Sequence, residues 1–402
     1  MYVHGIRRLF DFRGYVVQKI TLSRDRAEVF LRRDGRFALT CPTCGTRMAS
    51  NRTIPQTVRD LPLGTALHVV LTYEAIQGRC SRCGGFWTIH PPGIDDHARA
   101  TDRLMRFVCR LARYMPLTHI EEIVGICLAT SYRWDKAILE TSLPSPNLEG
   151  LKILLIDEKA IRKRHGYVTL VMNGENGELL YMAEGKKKES LQGFFDKLSP
   201  QQKASIVAVA MDRAGAYHKV VKAELPQADI VLDKFHLIAN YNELIDEVRR
   251  IEWHKAAQED KAVIKGQRFN LFRNAANRTA EQSHSLMALL HINETLAKVH
   301  ILGDALKQLW TYTYRGWAQK YFDRWVIWTQ VAGVPLLREF GNNLLKVKDM
   351  ILNYCKHPIT TGPLEGFNNT VSRIIHRACG IRCLDYLFLK LRQESLDFVP
   401  QK

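Results

Sequence analysis

The sequence VAVAMDRAGAYHKVVKAELPQADIVLDKFHLI spans residues 207–238. It contains two short apolar runs rich in β-branched residues, and each run is followed at once by an aspartate, Asp212 and Asp233. Between the two runs, AYHKVVKAEL has the spacing of an amphipathic helix. The stretch therefore predicts a strand, a helix and a second strand, with a carboxylate at the end of each strand.

Three further strands are predicted before this stretch. LKILLID, residues 151–157, is a short apolar run that ends at Asp157. GYVTLVMNGENGELLYMAEG, residues 166–185, is typical of two strands joined by a turn. ESLQGFFDKLS, residues 189–199, has helical spacing. The predicted order from residue 151 to residue 233 is therefore β-β-β-α-β-α-β.

This order resembles the ribonuclease-H-like fold of nucleases and transposases. In that fold the first and fourth strands lie side by side, which implies that Asp157 and Asp212 face one another and that Asp233 is a neighbour. A third carboxylate is expected from Glu365, which lies in TTGPLEGFNNTVSRIIHRACG, residues 360–380. The Thr, Gly and Pro residues before Glu365 indicate that a helix begins there.

Three such carboxylates suit divalent metal chemistry. Mg²⁺ prefers oxygen ligands, so Asp157, Asp212 and Glu365 are candidates to hold two ions, for which Mn²⁺ can substitute. Two such ions can activate the attacking oxygen and stabilise the leaving oxygen in phosphoryl transfer. Two alternatives to this set of ligands stay open. The first is that Glu365 is not a metal ligand and serves only as a favourable negative charge at a helix N-terminus. Glu158 competes with Asp157, but adjacent strand residues point to opposite faces and only one can serve.

Two cysteine pairs predict a structural zinc site. CPTCG contains Cys41 and Cys44, and CSRCG contains Cys80 and Cys83. A Cys-x-x-Cys turn brings two thiolates together, and the glycine that follows permits the backbone geometry after the turn. Four thiolates complete a tetrahedral Zn²⁺ site and leave no open position for a water, so a structural role is expected rather than a catalytic one. Two unrelated turns are the alternative.

Residues 101–143 have the pattern of a helix-turn-helix. A helix is predicted before a break at Pro116, then a short helix from Thr118, a turn near Gly125 and another helix from about Thr130. The last helix is expected to approach the major groove of DNA, with a small structural bundle as the alternative. Its candidate contacts are Ser131, Tyr132, Arg133 and Lys136. The first helix carries a basic stripe that suits phosphates, or forms an ordinary solvated face: Arg103, Arg106, Arg110 and Arg113.

The charge of the chain favours a polyanionic partner. The 402 residues include 58 Lys and Arg against 41 Asp and Glu, a formal net charge of +17. Such a field attracts nucleic acid, although a generically basic protein is the alternative from charge alone. Neither a cleavable signal nor an apolar stretch near the ~18 residues of a membrane span is apparent. A cytoplasmic, nucleoid-associated protein without a membrane partner is therefore expected.

Several motifs together resemble bacterial insertion-sequence transposases of the ISL-three group. They are the cysteine pairs, the helix-turn-helix, LLIDEKA, MDRAGAYHKVVKAELPQADIVLDKFHLI and GPLEGFNNTVSRIIHRACGIR. The resemblance covers nearly the whole chain and implies a DDE catalytic domain with Asp157, Asp212 and Glu365 as its triad. It also assigns DKFH to an Asp-x-x-His element, in which Asp233 and His236 support the site. Without the resemblance, these two residues are a strand-end aspartate and a helix-capping histidine.

The expected organisation is that of a multidomain α/β protein whose ribonuclease-H-like catalytic domain is interrupted by an all-helical insertion. The predicted segments are a zinc-binding, β-rich N-terminal region at 1–98, the helix-turn-helix at 99–143, the first part of the catalytic domain at 150–238, the helical insertion at 239–356 and the last part of the catalytic domain, with Glu365, at 357–402. Near the end of the insertion, aromatic residues recur at helical spacing: Trp310, Tyr314, Trp317, Tyr321, Trp325 and Trp328. They predict packing, or a ring that stacks on an extruded base.

The expected function is DNA transposition. The protein would bind the terminal inverted repeats of its element, cleave DNA in a metal-dependent reaction and transfer the strands to a target. Its partners would be double-stranded DNA, both transposon ends and target, and further copies of itself, because two ends require at least a dimer. Two alternatives are an inactive, transposase-derived DNA-binding regulator and a ribonuclease-H-like nuclease or resolvase that transfers no strands and leaves the ends unjoined.

Overall fold

The chain folds into two compact units. A computed structural model describes residues 8–95, 97, 99–162, 166–212 and 215–397. The first unit contains the described residues up to Pro144 together with Arg373–Gln393. The second unit contains Ser145–Ser372 and the described residues from Glu394 onward. The segment 357–402, predicted as one part of the catalytic domain, is thus divided between the two units.

The first unit contains a seven-stranded sheet. Its strands are β1 Tyr15–Leu22, β2 Arg26–Arg33, β3 Arg52–Asp60, β4 His68–Arg79, β5 Phe86–Ile89, β6 Ile94–Asp95 and β7 Ala100–Thr101. They lie in the order β1-β2-β4-β3-β7-β6, with β5 paired to β4. In the long strand β4, every second residue from Val69 to Ala75 is buried in one core, as expected from the period of two of a strand. Ile76, on the opposite face, is buried in a second, smaller cluster.

Three helices follow the sheet in the first unit: α1 Asp102–Tyr114, α2 Leu117–Val124 and α3 Leu128–Ser142. The Thr101 side chain caps α1 by accepting a hydrogen bond from the backbone N–H of Leu104. Pro116 separates α1 from α2, and Gly125 separates α2 from α3. The predicted helices, break and turn are therefore found at the expected residues.

The second unit is built on a five-stranded sheet. Its strands are β8 Ile153–Arg162, β9 Gly166–Asn173, β10 Leu179–Glu184, β11 Ala208–Met211 and β12 Asp229–Leu232. They lie in the order β10-β9-β8-β11-β12. Strands β8, β9 and β10 pair antiparallel, whereas β11 pairs in parallel with both β8 and β12. The predicted order of elements is confirmed, with one additional short helix before β11. The carboxyl ends of β8, β11 and β12 consequently meet at one edge of the sheet.

Helices connect these strands and form the rest of the second unit. Those between the strands are α4 Lys188–Phe195, α5 Pro200–Ser205 and α6 Gly215–Glu224. After β12 come α7 Lys234–Lys255, α8 Gln258–Ile264, α9 Arg268–Phe272, α10 Ala280–Ile292, α11 Glu294–Gln308, α12 Arg315–Val331, α13 Pro335–Leu345 and α14 Lys348–Leu352. The last two helices are α15 Gly362–Arg377, whose residues from Arg373 onward belong to the first unit, and α16 Leu384–Ser395, most of which belongs to the first unit. Within the described residues, no helix combines the length and apolarity needed to cross a membrane.

The last helix, α16, explains why the predicted C-terminal segment is divided. Its Lys390 amino group lies 3.1 Å from a carboxylate oxygen of Asp135 in α3, and the Tyr386 hydroxyl donates to the same oxygen. Asp135 and Lys390 are both buried. A buried ion pair with an additional hydrogen bond ties α16 to the helices of the first unit.

Candidate active site and metal centre

Asp157 lies in the middle of β8 and is almost fully buried. One carboxylate oxygen accepts a hydrogen bond of 2.8 Å from the backbone N–H of Glu158, and the other accepts one of 2.7 Å from the side-chain amide of Asn368. Burial and the negative charge of Asp212 raise the pKa of Asp157, and these effects outweigh the hydrogen bonds and the nearby His236, which lower it. The site thus contains a carboxylate whose ionised form is penalised.

Glu158 faces the opposite side of the sheet from Asp157. Its partner across the β8–β9 pair is Thr169, whose hydroxyl lies 2.6 Å from that of Tyr217 in α6. Burial raises the pKa of Glu158, although the positive charge of Lys186 opposes this rise. Of the two adjacent acidic residues, Asp157 is the one that contacts α15.

Asp212 follows the last residue of β11 and is half-buried. In the parallel pairing of β11 with β8, Met211 lies opposite Ile156, so the following residues, Asp212 and Asp157, come next in the same register. The negative charge of Asp212 raises the pKa values of both Asp157 and His236. These couplings indicate that the two aspartates and the histidine share one electrostatic environment.

Asp233 is fully buried and begins α7 as its N-cap. One of its oxygens accepts hydrogen bonds from the backbone N–H of His236 at 3.3 Å and from the ring Nδ1 of His236 at 2.8 Å. The other oxygen accepts from the backbone N–H of Thr361 at 3.3 Å. Burial works to raise the pKa of Asp233, but these hydrogen bonds outweigh it and lower the pKa. The hydrogen bond to Asp233 raises the pKa of His236 to about 9.

Glu365 lies in the first turn of α15 and is exposed. Its backbone N–H donates to the carbonyl of Thr361 at 2.8 Å, so helical geometry already includes Thr361. Thr361, Glu365 and Asn368 follow one another at helical spacing and therefore share a face. Thr361 contacts Asp233 and Asn368 contacts Asp157, with Glu365 between them on the helix.

Asn368 and Thr361 also belong to this site, although the sequence predicted neither of them as a metal ligand. Asn368 was expected only as one of the polar residues on the helix face toward the metals, and Thr361 only as part of the signal for the helix start. Both are buried, and each has a side-chain oxygen without a hydrogen-bond partner among the described residues. The available signal was the recurrence of polar residues at helical spacing around Glu365 on an otherwise apolar helix face. That signal identifies a polar face but does not identify the partner of each residue.

The four predicted cysteines lie together in the first unit. Their sulfur atoms are all within 4.8 Å of one another, with 3.6 Å between Cys41 and Cys83 and 3.5 Å between Cys44 and Cys80. Tetrahedral Zn–S bonds of about 2.3 Å imply sulfur separations of about 3.8 Å, so the cluster is compatible with zinc. Within the described parts of the chain, no second group of three or more ligating side chains is gathered so closely. The carboxylates of Asp157, Asp212 and Glu365 do not form such a group.

Local backbone geometry accounts for the cysteine cluster. Gly45 and Gly84, directly after the two cysteine pairs, have φ values of +67° and +70°, which glycine adopts without the steric cost of a Cβ atom. Their N–H groups donate to the carbonyls of Cys41 and Cys80 at 3.0 and 2.9 Å. Hydrogen bonding by Thr46 lowers the pKa of Cys44 to about 6, which favours the thiolate that zinc requires.

The predicted DNA-facing residues of α3 differ in exposure. Ser131 is fully buried and donates to the carbonyl of Ile126 at 3.3 Å, so it belongs to the core of the helical bundle. Tyr132 packs edge-on against Tyr386, with 4.7 Å between ring centroids. Arg133 is exposed, whereas Lys136 is partly buried and lies 3.6 Å from the carboxylate of Glu140.

The arginines of the α1 stripe also differ. Arg103 forms an ion pair with the fully buried Asp60, and its guanidinium lies 5.5 Å from the ring centroid of Phe10. Arg106 and Arg110 are exposed. Arg113 is partly buried, and its guanidinium lies 5.8 Å from the ring centroid of its neighbour Tyr114. Arg103 therefore anchors α1 to the sheet, whereas Arg106 and Arg110 remain available to a partner.

The aromatic residues in and around α12 also differ in exposure. Trp325 is buried and donates its indole N–H to the carbonyl of Leu302 at 2.9 Å. The hydroxyl of Tyr321 donates to a backbone carbonyl at 2.7 Å. Packing is thus confirmed for these two residues. Tyr314 and Trp317 are 68% and 60% exposed, so the alternative of stacking stays a prediction for them.

Comparison with known proteins assigns the family. A family model described as transposase, of the DDE type and the ISL3 group, matches residues 154–391. This match spans more than half of the chain, and the chain belongs to that family. DDE transposases are enzymes that cleave and transfer DNA strands with divalent metal ions.

Two relatives are similar over most of their length. The chain is 32% identical over 391 residues to the transposase for insertion sequence element IS1001 of Bordetella parapertussis, and the alignment covers 96% of each chain. It is 26% identical over 353 residues to the transposase for insertion sequence element IS1557 of Mycobacterium tuberculosis, covering 81% of this chain and 78% of that relative. The similarity therefore includes the N-terminal region as well as the part that carries the carboxylates.

Proposed function

We propose that this chain moves an insertion sequence by binding its terminal inverted repeats and by cleaving and transferring DNA strands. The catalytic centre is formed by Asp157, Asp212 and Glu365 on a ribonuclease-H-like fold. The β-β-β-α-β-α-β order and the sheet order β10-β9-β8-β11-β12 support that fold. Helices α7–α14, between the second aspartate and Glu365, form its helical insertion.

The observation that carries the proposal is that α15 is hydrogen-bonded at two points to residues of the sheet strands and their ends. The beginning of the helix is hydrogen-bonded to Asp233, which follows β12, and Asn368 is hydrogen-bonded to Asp157 in β8. Strand β11, which leads to Asp212, lies between β8 and β12 in the sheet. Glu365 lies between the two attachments along the helix. This arrangement supports a position of Glu365 close to Asp212.

The dimensions of helix and sheet agree with this arrangement. Thr361 and Asn368 are seven positions apart in the chain, which corresponds to a rise of about 10.5 Å along an α-helix. Two steps between neighbouring strands, from β12 through β11 to β8, span about 9.6 Å. A helix that crosses the strand ends in this way carries Glu365 over the middle strand.

The residues of the centre fit divalent cations. Burial and the neighbouring Asp212 both disfavour the ionised form of Asp157, and a cation is what stabilises a buried carboxylate beside a like charge. Asp157, Asp212 and Glu365 offer the oxygen ligands that Mg²⁺ prefers, and they would hold two Mg²⁺ ions, with Mn²⁺ as a substitute. When bound, such ions activate the attacking oxygen and stabilise the leaving oxygen of phosphoryl transfer.

Asp233 and His236 support the centre. His236, with a pKa of about 9, carries a positive charge at neutral pH. That charge lowers the pKa of Asp157 and so favours its ionised form. Asp233 fixes the ring of His236 through Nδ1 and fixes the start of α15 through Thr361. The pair therefore links the end of β12 to the helix that carries Glu365.

The first unit recognises DNA in this proposal. Zn²⁺ bound by Cys41, Cys44, Cys80 and Cys83 stabilises the turns of the β-rich region. The exposed Arg106, Arg110 and Arg133, with Lys136 and the edge of Tyr132, contact the terminal repeats. Ser131, which is buried, and Arg103, which is paired with Asp60, stabilise the unit instead. Two ends are held by at least two copies of the chain.

The test is to map new 3′ ends in DNA that carries the natural flanks of the gene. The wild-type protein is incubated with this DNA in Mg²⁺ and in EDTA, beside Asp157→Asn, Asp212→Asn and the matched control Glu158→Gln. We expect Mg²⁺-dependent cuts at the element boundary with the wild type and with Glu158→Gln. Cutting by the two Asp→Asn variants should fall by roughly a thousandfold or more, because several kcal/mol of charge stabilisation is lost. Specific binding without cuts by any of the four proteins would instead favour a DNA-binding regulator.

A further inference from the structure

Asn368 is an unusual residue for its position. Its side chain is 6% exposed, and it lies on the apolar side of α15 together with the fully buried Leu364, Phe367 and Val371. A polar group is costly in such surroundings unless it is hydrogen-bonded. Only its amide nitrogen is satisfied, by Asp157 Oδ2 at 2.7 Å, whereas Oδ1 is buried without a partner among the described residues. Packing alone does not account for an asparagine here.

The orientation of the Asn368 amide follows from its partner. Asp157 Oδ1 already accepts a hydrogen bond of 2.8 Å from the backbone N–H of Glu158. With Nδ2 of Asn368 on Oδ2, both carboxylate oxygens have one donor each. The reverse orientation of the amide would place its oxygen against a carboxylate oxygen, which is repulsive. The carboxylate of Asp157 is thus held by one donor from its own strand and one from α15.

Resting on the function proposed above, we propose that Asn368 is a positioning residue of the divalent-cation site. It fixes the rotation of the Asp157 carboxylate about its side-chain bonds and leaves the remaining lone pairs of both oxygens for ions. Because Asn368 and Glu365 are three residues apart on α15, the same hydrogen bond also sets the distance between Asp157 and the helix that carries Glu365. Residues that orient ligands in this way change metal affinity by about 10- to 100-fold when they are removed.

The experiment compares Asn368→Leu and Asn368→Ala with the wild type and with Asn369→Ala. Leucine has the same branching and the same number of side-chain heavy atoms as asparagine, although its methyl groups are larger, so this variant avoids the cavity that alanine leaves. Asn369 is the neighbouring asparagine, is exposed and serves as the matched control. Mn²⁺ binding to the protein without DNA is measured from the electron paramagnetic resonance signal of free Mn²⁺, and thermal unfolding is measured in EDTA.

We expect the dissociation constant for Mn²⁺ to rise by about 10- to 100-fold in the Asn368 variants. Asn369→Ala should bind Mn²⁺ like the wild type, and Asn368→Leu should unfold in EDTA at or near the wild-type temperature. Cleavage by Asn368→Leu should recover as the Mn²⁺ concentration is raised, because the defect is one of ion affinity. A purely structural defect does not recover in this way.

Wild-type Mn²⁺ affinity in a folded Asn368→Leu variant would overturn this inference. Asp157→Asn, measured in parallel, distinguishes a failure of the role proposed for Asn368 from a failure of the proposed catalytic centre. Loss of Mn²⁺ binding in Asp157→Asn but not in Asn368→Leu would refute only the role of Asn368. Retention of both Mn²⁺ binding and cleavage by Asp157→Asn would refute the proposed catalytic centre itself.

Discussion

Asp233 shows how one buried carboxylate can organise several residues. It is fully buried, yet it accepts hydrogen bonds from the backbone and ring of His236 and from the backbone of Thr361. These hydrogen bonds offset the free-energy cost of removing the charged carboxylate from water. The sequence placed Asp233 at a strand end, and the resemblance assigned it a supporting role. The third donor is the backbone N–H of Thr361, which lies 128 positions later in the chain, so the local sequence pattern around Asp233 could not predict it.

The Asp233–His236 pair makes the stability of the metal-free protein depend on pH. The pKa of His236 is raised from 6.5 to about 9 in the folded protein. The pair's contribution to the free energy of unfolding is therefore complete below pH 6.5 and is lost as the pH rises through about 9. We expect urea unfolding in EDTA to show this loss, and His236→Gln to remove it. His119→Gln, at an exposed histidine of α2, should keep the wild-type profile; the same profile in His236→Gln would refute the role of the pair.

Among the residues predicted to face DNA, Ser131 is fully buried, whereas Tyr132 is only partly covered. The helix containing Ser131 and Tyr132 was predicted from local spacing, and the helix itself is confirmed. Which of its faces is exposed depends on α16, which lies about 250 residues later and covers Tyr132 and Asp135 through Tyr386. A face that is covered by a distant helix cannot be distinguished from a DNA-facing one by local periodicity.

At the scale of elements, α3 and α16 are joined by a buried ion pair. Lys390 and Asp135 are 4% and 0% exposed, and Tyr386 donates to the same carboxylate. Removing one partner of such a pair leaves the other as an uncompensated buried charge. We expect Asp135→Ala to lower the free energy of unfolding of the first unit by roughly 3–5 kcal/mol.

The matched control for this prediction is Lys136→Ala. Lys136 lies next to Asp135 in α3 but pairs at the surface with the exposed Glu140, at 3.6 Å, and is itself only partly buried. Such surface pairs contribute less than about 1 kcal/mol. Urea unfolding followed by a probe in the first unit measures both variants. Equal effects of the two substitutions would show that the buried pair does not hold α16 against α3.

The two cysteine turns, at Cys41 and Cys44 and at Cys80 and Cys83, allow a test of the proposed zinc site. The cysteines and the surrounding Leu39, Met48 and Ile76 form a small hydrophobic cluster, and the zinc proposed for the four thiolates would hold its two turns together. Replacing Cys41 and Cys44 with Ser should release one zinc ion per chain and impair binding to the terminal repeats. Cys127→Ser, at an exposed cysteine outside the cluster, should retain the metal. Unchanged zinc content in the double variant, by elemental analysis, would contradict the site.

Strands and helices were easier to predict from the sequence than the site they form. The runs LLID, VAVAM and DIVL are short, apolar and bounded by polar residues, so their strands follow from local composition. The position of Glu365 required the resemblance, because an acidic residue at a helix start has a sufficient local explanation. Its relation to the sheet becomes apparent only from the contacts of its neighbours, Thr361 and Asn368, with Asp233 and Asp157.

At the scale of the whole molecule, the net charge of +17 governs binding to DNA. Each phosphate contact releases counterions, so the logarithm of the binding constant falls by about 0.9 per contact for each unit of the logarithm of the salt concentration. Substituting Arg106 and Arg110 with Gln should reduce this slope by about 1.8 if each arginine contacts one phosphate. Arg36→Gln, at an exposed arginine paired with Asp34, is the control. An unchanged slope in the double variant would exclude the α1 stripe from the interface.

The most direct test of the catalytic centre is to locate Mn²⁺ by anomalous scattering in crystals of the protein bound to a DNA end. We expect two anomalous peaks within about 2.3 Å of carboxylate oxygens, with Asp157 and Asp212 among the ligands and Glu365 on at least one ion. Peaks coordinated by Glu158 instead of Asp157, or ions with no contact to Glu365, would contradict the central claim.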